Sequence, residues 1–290
     1  MFERLKKRLK LLPIILAAAV VGFGGWQVYK NVAVSDSEIV KSAIEAFGSA
    51  STVHADMEIT IDVPEKDDLP ATSTKITAAS DIGLVDNSQN THMTFGLSGV
   101  TAEIEMISIK ADELYLKMPF LYPDWLQLDA ETLAQETGLP LDPKYNDYAA
   151  QTKGYLKSLD LSSLKKVGEE LIDEKRVIHY KVNLNKDSFE NYLKELSGDE
   201  KLIEGFKNSQ MEADLWINRK ENQVVQMEIK VRDFDVNEPL TNESLGKANM
   251  TIKVKYSKYN QTLDIKRPEG EIISYEDLQN EKLPFIPEAR

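Results

Sequence analysis

The sequence predicts an α+β fold in which an N-terminal transmembrane helix is followed by a curved antiparallel sheet with helices covering its concave face. Three observations predict it. Residues 11–29 carry no charge, many later segments alternate apolar and polar residues with a period of two, and a few short segments repeat apolar residues at helical spacing. Strands that are apolar on one side only are typical of an antiparallel sheet with one covered face.

The uncharged segment begins at Leu11 and ends at Tyr29, and nineteen residues at ~1.5 Å each span about 28 Å, the thickness of a bilayer core. Basic residues precede it, so residues 1–10 are expected in the cytoplasm and the chain after a linker at 30–36 outside. The alternative is a cleaved signal peptide, but the apolar run exceeds the usual length of that segment. We therefore expect an uncleaved anchor in a single-pass cell-membrane protein.

Composition excludes several function classes. The net charge is −13, although residues 1–35 carry six basic residues against one acidic residue, so the rest of the chain is strongly acidic. An acidic body disfavours nucleic acid as a partner, because phosphate contacts need a basic surface. With no cysteine, the chain has no disulfide, thiolate metal site, cysteine nucleophile or lipid-modified cysteine.

The elements follow in order. Ser35 to Ser37 offer N-cap oxygens, and Val40, Ile44 and Phe47 recur at helical spacing, which predicts a helix over 37–48. Alternation starts at Val53 and predicts the first strand. Further strands are predicted at 72–85, 91–98, 102–110, 113–118, 125–129, 176–184, 213–217, 225–231 and 250–256, and further helices at 161–171 and from residue 187 to 197.

The apolar residues of these strands fall on one side if the sheet is continuous, and they form the candidate lining of a lipid-binding cavity. They are Met57, Ile59, Ile61, Phe95, Leu97, Leu114, Leu116, Tyr180, Val182, Leu215, Ile217, Met227 and Ile229, together with Ile252 and Val254. The narrow stripes of the predicted helices leave apolar surface uncovered, and such surface favours an acyl chain.

The order of these elements, with stretches such as "VHADMEITIDV", "IKADELYLKM" and "MEADLWINRKENQVVQMEIKV", resembles the lipoprotein-carrier-like superfamily of LolA-type carriers and LppX and LprG type lipoproteins. The resemblance covers residues 36–268 and implies a half-barrel closed by helices, some members of which hold acyl chains. It places the domain at 37–268 and leaves 269–290 as a C-terminal tail. The lipoproteins' acylated cysteine is missing, and the membrane helix takes its place.

No motif indicates an enzyme, and no catalytic, cofactor or metal residue is predicted. The segment "GLSGV" at 96–100 lacks the second glycine of a nucleophile elbow at the required position and is interpreted as a strand end. Asp233, Asp235 and Asn237 resemble the start of a calcium loop, but Glu238 replaces its glycine, which favours a solvated loop. His179 lies on the polar side of its strand and is interpreted as an exposed histidine.

Two functions remain open. One is an extracytoplasmic protein that binds an apolar ligand, most simply lipid acyl chains, in its concavity. The other is a cell-surface interaction or envelope-structure module whose concavity is filled by its own helices. A similar fold serves either role, so the exposure of the apolar face distinguishes them. The sequence indicates no particular protein partner.

Overall fold

The computed structural model describes residues 35–65, 71–97, 100–110, 113–120, 122–128, 158–197, 205–206, 208–237, 244–274 and 277. They form a single sheet of twelve strands with two helices of more than one turn. The predicted anchor at 11–29 lies outside these residues. Within them, no helix combines the length and apolar character needed to cross a membrane.

The strands are numbered in chain order. They are β1 (Thr52–Val63), β2 (Thr72–Gly83), β3 (Gln89–Leu97), β4 (Val100–Lys110), β5 (Glu113–Met118), β6 (Tyr122–Leu128), β7 (Leu159–Ile172), β8 (Lys175–Leu184), β9 (Gln210–Asn218), β10 (Gln223–Asn237), β11 (Ser244–Ser257) and β12 (Ile272–Ser274). Their order across the sheet is β12-β6-β5-β4-β3-β2-β1-β11-β10-β9-β8-β7.

The sheet is open, because β12 and β7 lie at opposite ends of this order. Strands that are neighbours in the chain pair with each other over most of its width, and β1 joins the two halves by pairing with both β2 and β11. Every pair is antiparallel except β12 with β6, which is parallel. The C-terminal segment after residue 268, predicted as a tail, thus contributes a strand to the sheet.

Helix α1 (Asp36–Phe47) forms where the sequence predicts it. Ser35 is its N-cap, and a capping box joins the Ser35 side chain and the Glu38 side chain to the first backbone amides. Its apolar stripe, which includes Val40 and Ile44, is buried against the sheet. Helix α2 (Lys186–Ser197) also matches its prediction, and it places Phe189 in the same core.

The predicted helix at 161–171 is wrong. These residues belong to β7, which pairs with β8 along its length. Two register irregularities, between Asp160 and Lys165 and between Lys166 and Gly168, interrupt the two-residue alternation. Since bulges add a residue to a strand, the apolar residues of β7 recur at intervals that imitate a helix.

The predicted loop around Asp233 is also wrong, because β10 continues through it to Asn237. Asp233 has a φ of 59°, and the pairing with β11 shifts between Val231 and Phe234. The strand therefore continues, with a bulge, through residues whose sequence predicts a loop.

Candidate ligand-binding face

The strand register places the predicted lining residues on one face of the sheet, here called the core face. Residues directly opposite each other in antiparallel strands point to the same side, and two rows of such residues cross the sheet. The first row is Ile104, Met93, Ala78, Met57, Val254, Met227, Leu215 and Tyr180. The second is Ala102, Phe95, Ile76, Ile59, Ile252, Ile229, Ala213 and Val182.

One part of the core face, here called the covered half, lies in β1 and β8–β11. Eight of the thirteen predicted lining residues are buried there: Met57, Ile59, Tyr180, Val182, Leu215, Ile217, Met227 and Ile229. Val40, Ile44 and Phe47 of α1 belong to the same buried cluster. The chain's own helix therefore packs against the face that the sequence predicted as a ligand cavity.

Polar and aromatic contacts fix α1 in this position. The Tyr180 hydroxyl donates a hydrogen bond of 2.8 Å to Asp36 in the first turn of the helix. Burial raises the pKa of Tyr180 well above its usual value, and the bond to Asp36 raises it further. At the other end, the Phe47 ring contacts Tyr256 edge-on, with 4.8 Å between centroids.

The remaining predicted residues lie mostly at β3–β5, where Met93, Ala102 and Ile104 of the core face are buried but other apolar side chains of that face are only partly buried. We call this surface the open patch and define it as Phe95, Met106, Leu114, Leu116, Met118 and Phe120. Phe120 is 38% exposed, and its ring lies edge-on to Phe95 with 6.1 Å between centroids. Ile61 is also half-buried, and the side chain of Leu97 lies outside the described residues.

Three residues of the open patch were missed by the sequence analysis. Met106 lies opposite Leu116 on the neighbouring strand, so it shares its face. Met118 ends β5 and pairs with Tyr122 of β6, and Phe120 follows in the turn. The strand predicted at 113–118 already placed Met118 on the face of Leu116 by alternation, so this residue was accessible from the sequence.

His179 is not the exposed histidine that the sequence indicated. Its ring stacks on Trp216 with 4.3 Å between centroids, and its side chain is 14% exposed. Nδ1 lies 2.9 Å from Glu170 and Nε2 lies 2.8 Å from Asp214. The sequence placed it on the correct face, but Glu170 comes from β7, which the sequence analysis read as a helix.

The acids around His179 are themselves held by other groups. Lys230 contacts the buried Asp214 at 3.2 Å and Glu228 at 2.8 Å. The hydrogen bond with Glu228 raises the pKa of Lys230, and the bond with Asp214 adds to it. Trp216 Nε1 donates to Glu170 at 3.0 Å. Both ring nitrogens of His179 and both carboxylate oxygens of Asp214 thus have partners within the protein. Such pairing is typical of a structural cluster rather than of a catalytic base.

A groove of about 680 Å³ runs over this network on the polar face, opposite to the core face. Its lining mixes acids and lysines with the edge residues Val167 and Leu171. Among the described residues, no three histidine or acidic side chains are placed to hold a metal ion. The groove therefore differs in chemistry from the apolar site that the sequence predicted.

Comparison with protein-family models gives no match, and no curated protein matches the chain. Among solved structures, the chain is similar to the lipoprotein LppX of Mycobacterium tuberculosis, with 14% identity and a TM-score of 0.46 over 80% of this chain and 100% of that one. LprF of Mycobacterium bovis gives 12% identity and a TM-score of 0.47, covering 81% and 97% of the two chains.

A putative outer-membrane lipoprotein-sorting domain of Vibrio parahaemolyticus gives 11% identity and a TM-score of 0.25, with 74% of this chain and 87% of that chain covered. At such identities the function has to be inferred from the side chains of this chain itself.

Proposed function

We propose that the chain binds a lipid acyl chain on the open patch of its core face. The observation that carries this proposal is the contrast in burial along one continuous apolar face, since α1 covers one half while Phe95, Leu116 and Phe120 keep part of their surface exposed. A contiguous, partly exposed apolar patch on a folded protein is typical of a binding site.

The chemistry of the patch suits a flexible, uncharged ligand. All six members are apolar, and Met106 and Met118 have unbranched side chains that adapt to ligands of different shape. Removing apolar surface from water contributes ~25 cal/mol per Å², or ~0.8 kcal/mol for each methylene of a bound chain. An acyl chain laid across β3–β5 would gain this energy without displacing α1.

The proposed site is smaller than the lining inferred from the sequence. It retains Phe95, Leu114 and Leu116, and it leaves out the eight residues buried in the covered half. Ile61 lies two strands away from Phe95 and would extend the site toward the end of β1. Leu97 belongs to the proposed lining by its position in β3.

Membrane attachment is a second element of the proposal. The segment from Leu11 to Tyr29 would anchor the chain, and the acidic domain that follows would lie outside the cytoplasm. Alkaline carbonate extraction of membranes and protease treatment of intact cells test this directly. A mature N-terminus near Val34 would contradict an uncleaved anchor.

Native mass spectrometry tests ligand binding on the chain from residue 30 onward, which keeps the N-cap Ser35, purified without detergent. We expect co-purified lipid, and we expect Leu116→Trp to reduce it because the indole fills the patch. Val85→Asp is the matched control, because Val85 is 79% exposed and lies outside the patch. A lipid-free chain that takes up no fluorescent fatty acid would contradict the proposal and favour the interaction-module alternative.

A further inference from the structure

Strand β7 lies at one end of the strand order of the sheet. It pairs with β8 on one side, and no strand of the described residues pairs with it on the other. An edge strand presents a row of backbone N–H and C=O groups that can pair with another chain, and among the described residues no strand pairs with this row in β7. Val167 and Leu171 are 57% and 74% exposed on this strand, which is unusual for large apolar residues.

The charges along β7 are complementary to those of a second copy that runs in the opposite direction. Residues 164–171 read "LKKVGEEL", so two lysines at one end match two glutamates at the other, with a leucine outside each pair. An antiparallel copy centred between Val167 and Gly168 would place opposite charges together. It would also place Leu164 opposite the partner's Leu171.

The bulge in β7 makes this pairing geometrically consistent. Lys165 pairs with Lys181 of β8, and Glu170 pairs with Val177 of the same strand. Lys181 and Val177 are four residues apart in β8 and share a face, so Lys165 and Glu170 share that face as well. Likewise Lys166 pairs with Tyr180 and Glu169 with Ile178, which places them together on the other face. Without the extra residue between Lys166 and Gly168, each matching pair would lie on opposite faces.

We propose that β7 is the dimerisation strand of this protein and pairs in antiparallel fashion with β7 of a second copy about a two-fold axis between Val167 and Gly168. Each contact then occurs twice, as in any two-fold interface. Lys166 faces the partner's Glu169, and Leu171 loses its exposure against the partner's Leu164. The two sheets become continuous across the dimer. This inference is independent of lipid binding.

Lysines and bulges also protect edge strands from unwanted pairing, and here the order of charges selects one register. A register that sets Lys166 opposite the partner's Lys166, or Glu169 opposite the partner's Glu169, brings like charges together, which is destabilising. Lys166 and Glu169 are 42% and 53% exposed in the monomer and lie 3.6 Å apart. Such exposed pairs are weak, so the dimer is reversible rather than obligate.

Cysteine cross-linking of the full-length chain tests the register, because the chain has no native cysteine. Lys166→Cys and Glu169→Cys are prepared separately, one with a larger tag, and oxidised alone and mixed. In the proposed register Cα atoms at these positions are about 5 Å apart across the interface, within disulfide reach. Two copies of position 166 are about 10 Å apart, which is beyond it. We expect a disulfide-linked dimer of one tagged and one untagged chain in the mixture. We expect no disulfide-linked dimer when either variant is oxidised alone.

A charge exchange provides a second readout that needs no oxidation. Sedimentation velocity should show concentration-dependent dimer for the unmodified chain, loss of dimer for Lys166→Glu and for Glu169→Lys, and its return when the two are mixed. Cross-linking that is absent from the mixture, or equal in the separate variants, would overturn the proposal. A chain that stays monomeric at all concentrations would overturn the proposal as well. The edge of β7 would then be expected to pair with a different protein.

Discussion

The covered half and the open patch belong to the same face of the same sheet, yet they differ in what lies over them. In the covered half, Leu215 and Ile229 have no exposed surface and lie in a buried cluster with α1. In the open patch, Leu116 and Met118 are only partly buried, and Phe120 is 38% exposed. An apolar strand face is therefore compatible with a core or with a binding site, and the burial of its side chains distinguishes the two.

Both regions carry a buried cluster on their reverse side. Behind the covered half, Trp216 packs with Val177 and Val225 and stacks on His179. Behind the open patch, Tyr115 and Trp125 form a separate buried cluster with Ile107. Both regions are therefore supported by buried side chains on the polar face, and among the described residues no helix of more than one turn other than α1 and α2 lies in the fold to cover the open patch.

The largest expected effect is that of a charge placed in the covered half. Ile217 is fully buried, so Ile217→Asp should lower the free energy of unfolding by about 4 kcal/mol or prevent folding, because the carboxylate has no partner there. Leu116→Asp in the open patch is the matched comparison, with an expected loss of about 1 kcal/mol. Urea unfolding followed by circular dichroism measures both. Equal losses would erase the distinction between the two regions.

An intermediate effect is expected from His179, behind the covered half. Removing its ring takes the stacking partner from Trp216 and one of the groups that compensate the buried Asp214. We therefore expect His179→Ala to cost about 1–3 kcal/mol. His92→Ala is the control, since His92 is an exposed histidine on the same face and should change stability by about 0.5 kcal/mol or less. A similarly small change for His179→Ala would restore the exposed interpretation that the sequence favoured.

Much of this sheet was accessible from the sequence, for a simple physical reason. Strands such as β1 and β8 alternate without interruption, so the period of two alone assigns Ile59 and Tyr180 to one face. β7 could not be recognised, because its bulges break the alternation that identifies a strand. The site was also overestimated, since periodicity shows that Ile217 faces inward but not that residues of α1 and Phe189 complete a buried cluster with it.

The His179 cluster shows the same limit. Glu170, His179 and Asp214 come from three different strands, and their meeting depends on the registers of β7 with β8 and of β8 with β9. Sequence spacing carries no information about such pairings. The assignment of His179 to the polar face was correct, but its burial followed from neighbours that only the register brings together.

Photo-cross-linking with a fatty acid that carries a diazirine on its acyl chain is the sharpest test of lipid binding on the open patch, because it reports where the acyl chain lies as well as whether it binds. After irradiation and proteolysis, we expect labelled peptides from β5 (Glu113–Met118) and β3 (Gln89–Leu97), with little label at the exposed Val85, and we expect Leu116→Trp to remove the label. Label spread evenly over exposed apolar residues, or confined to β7–β9 of the polar face, would contradict acyl-chain binding on the open patch.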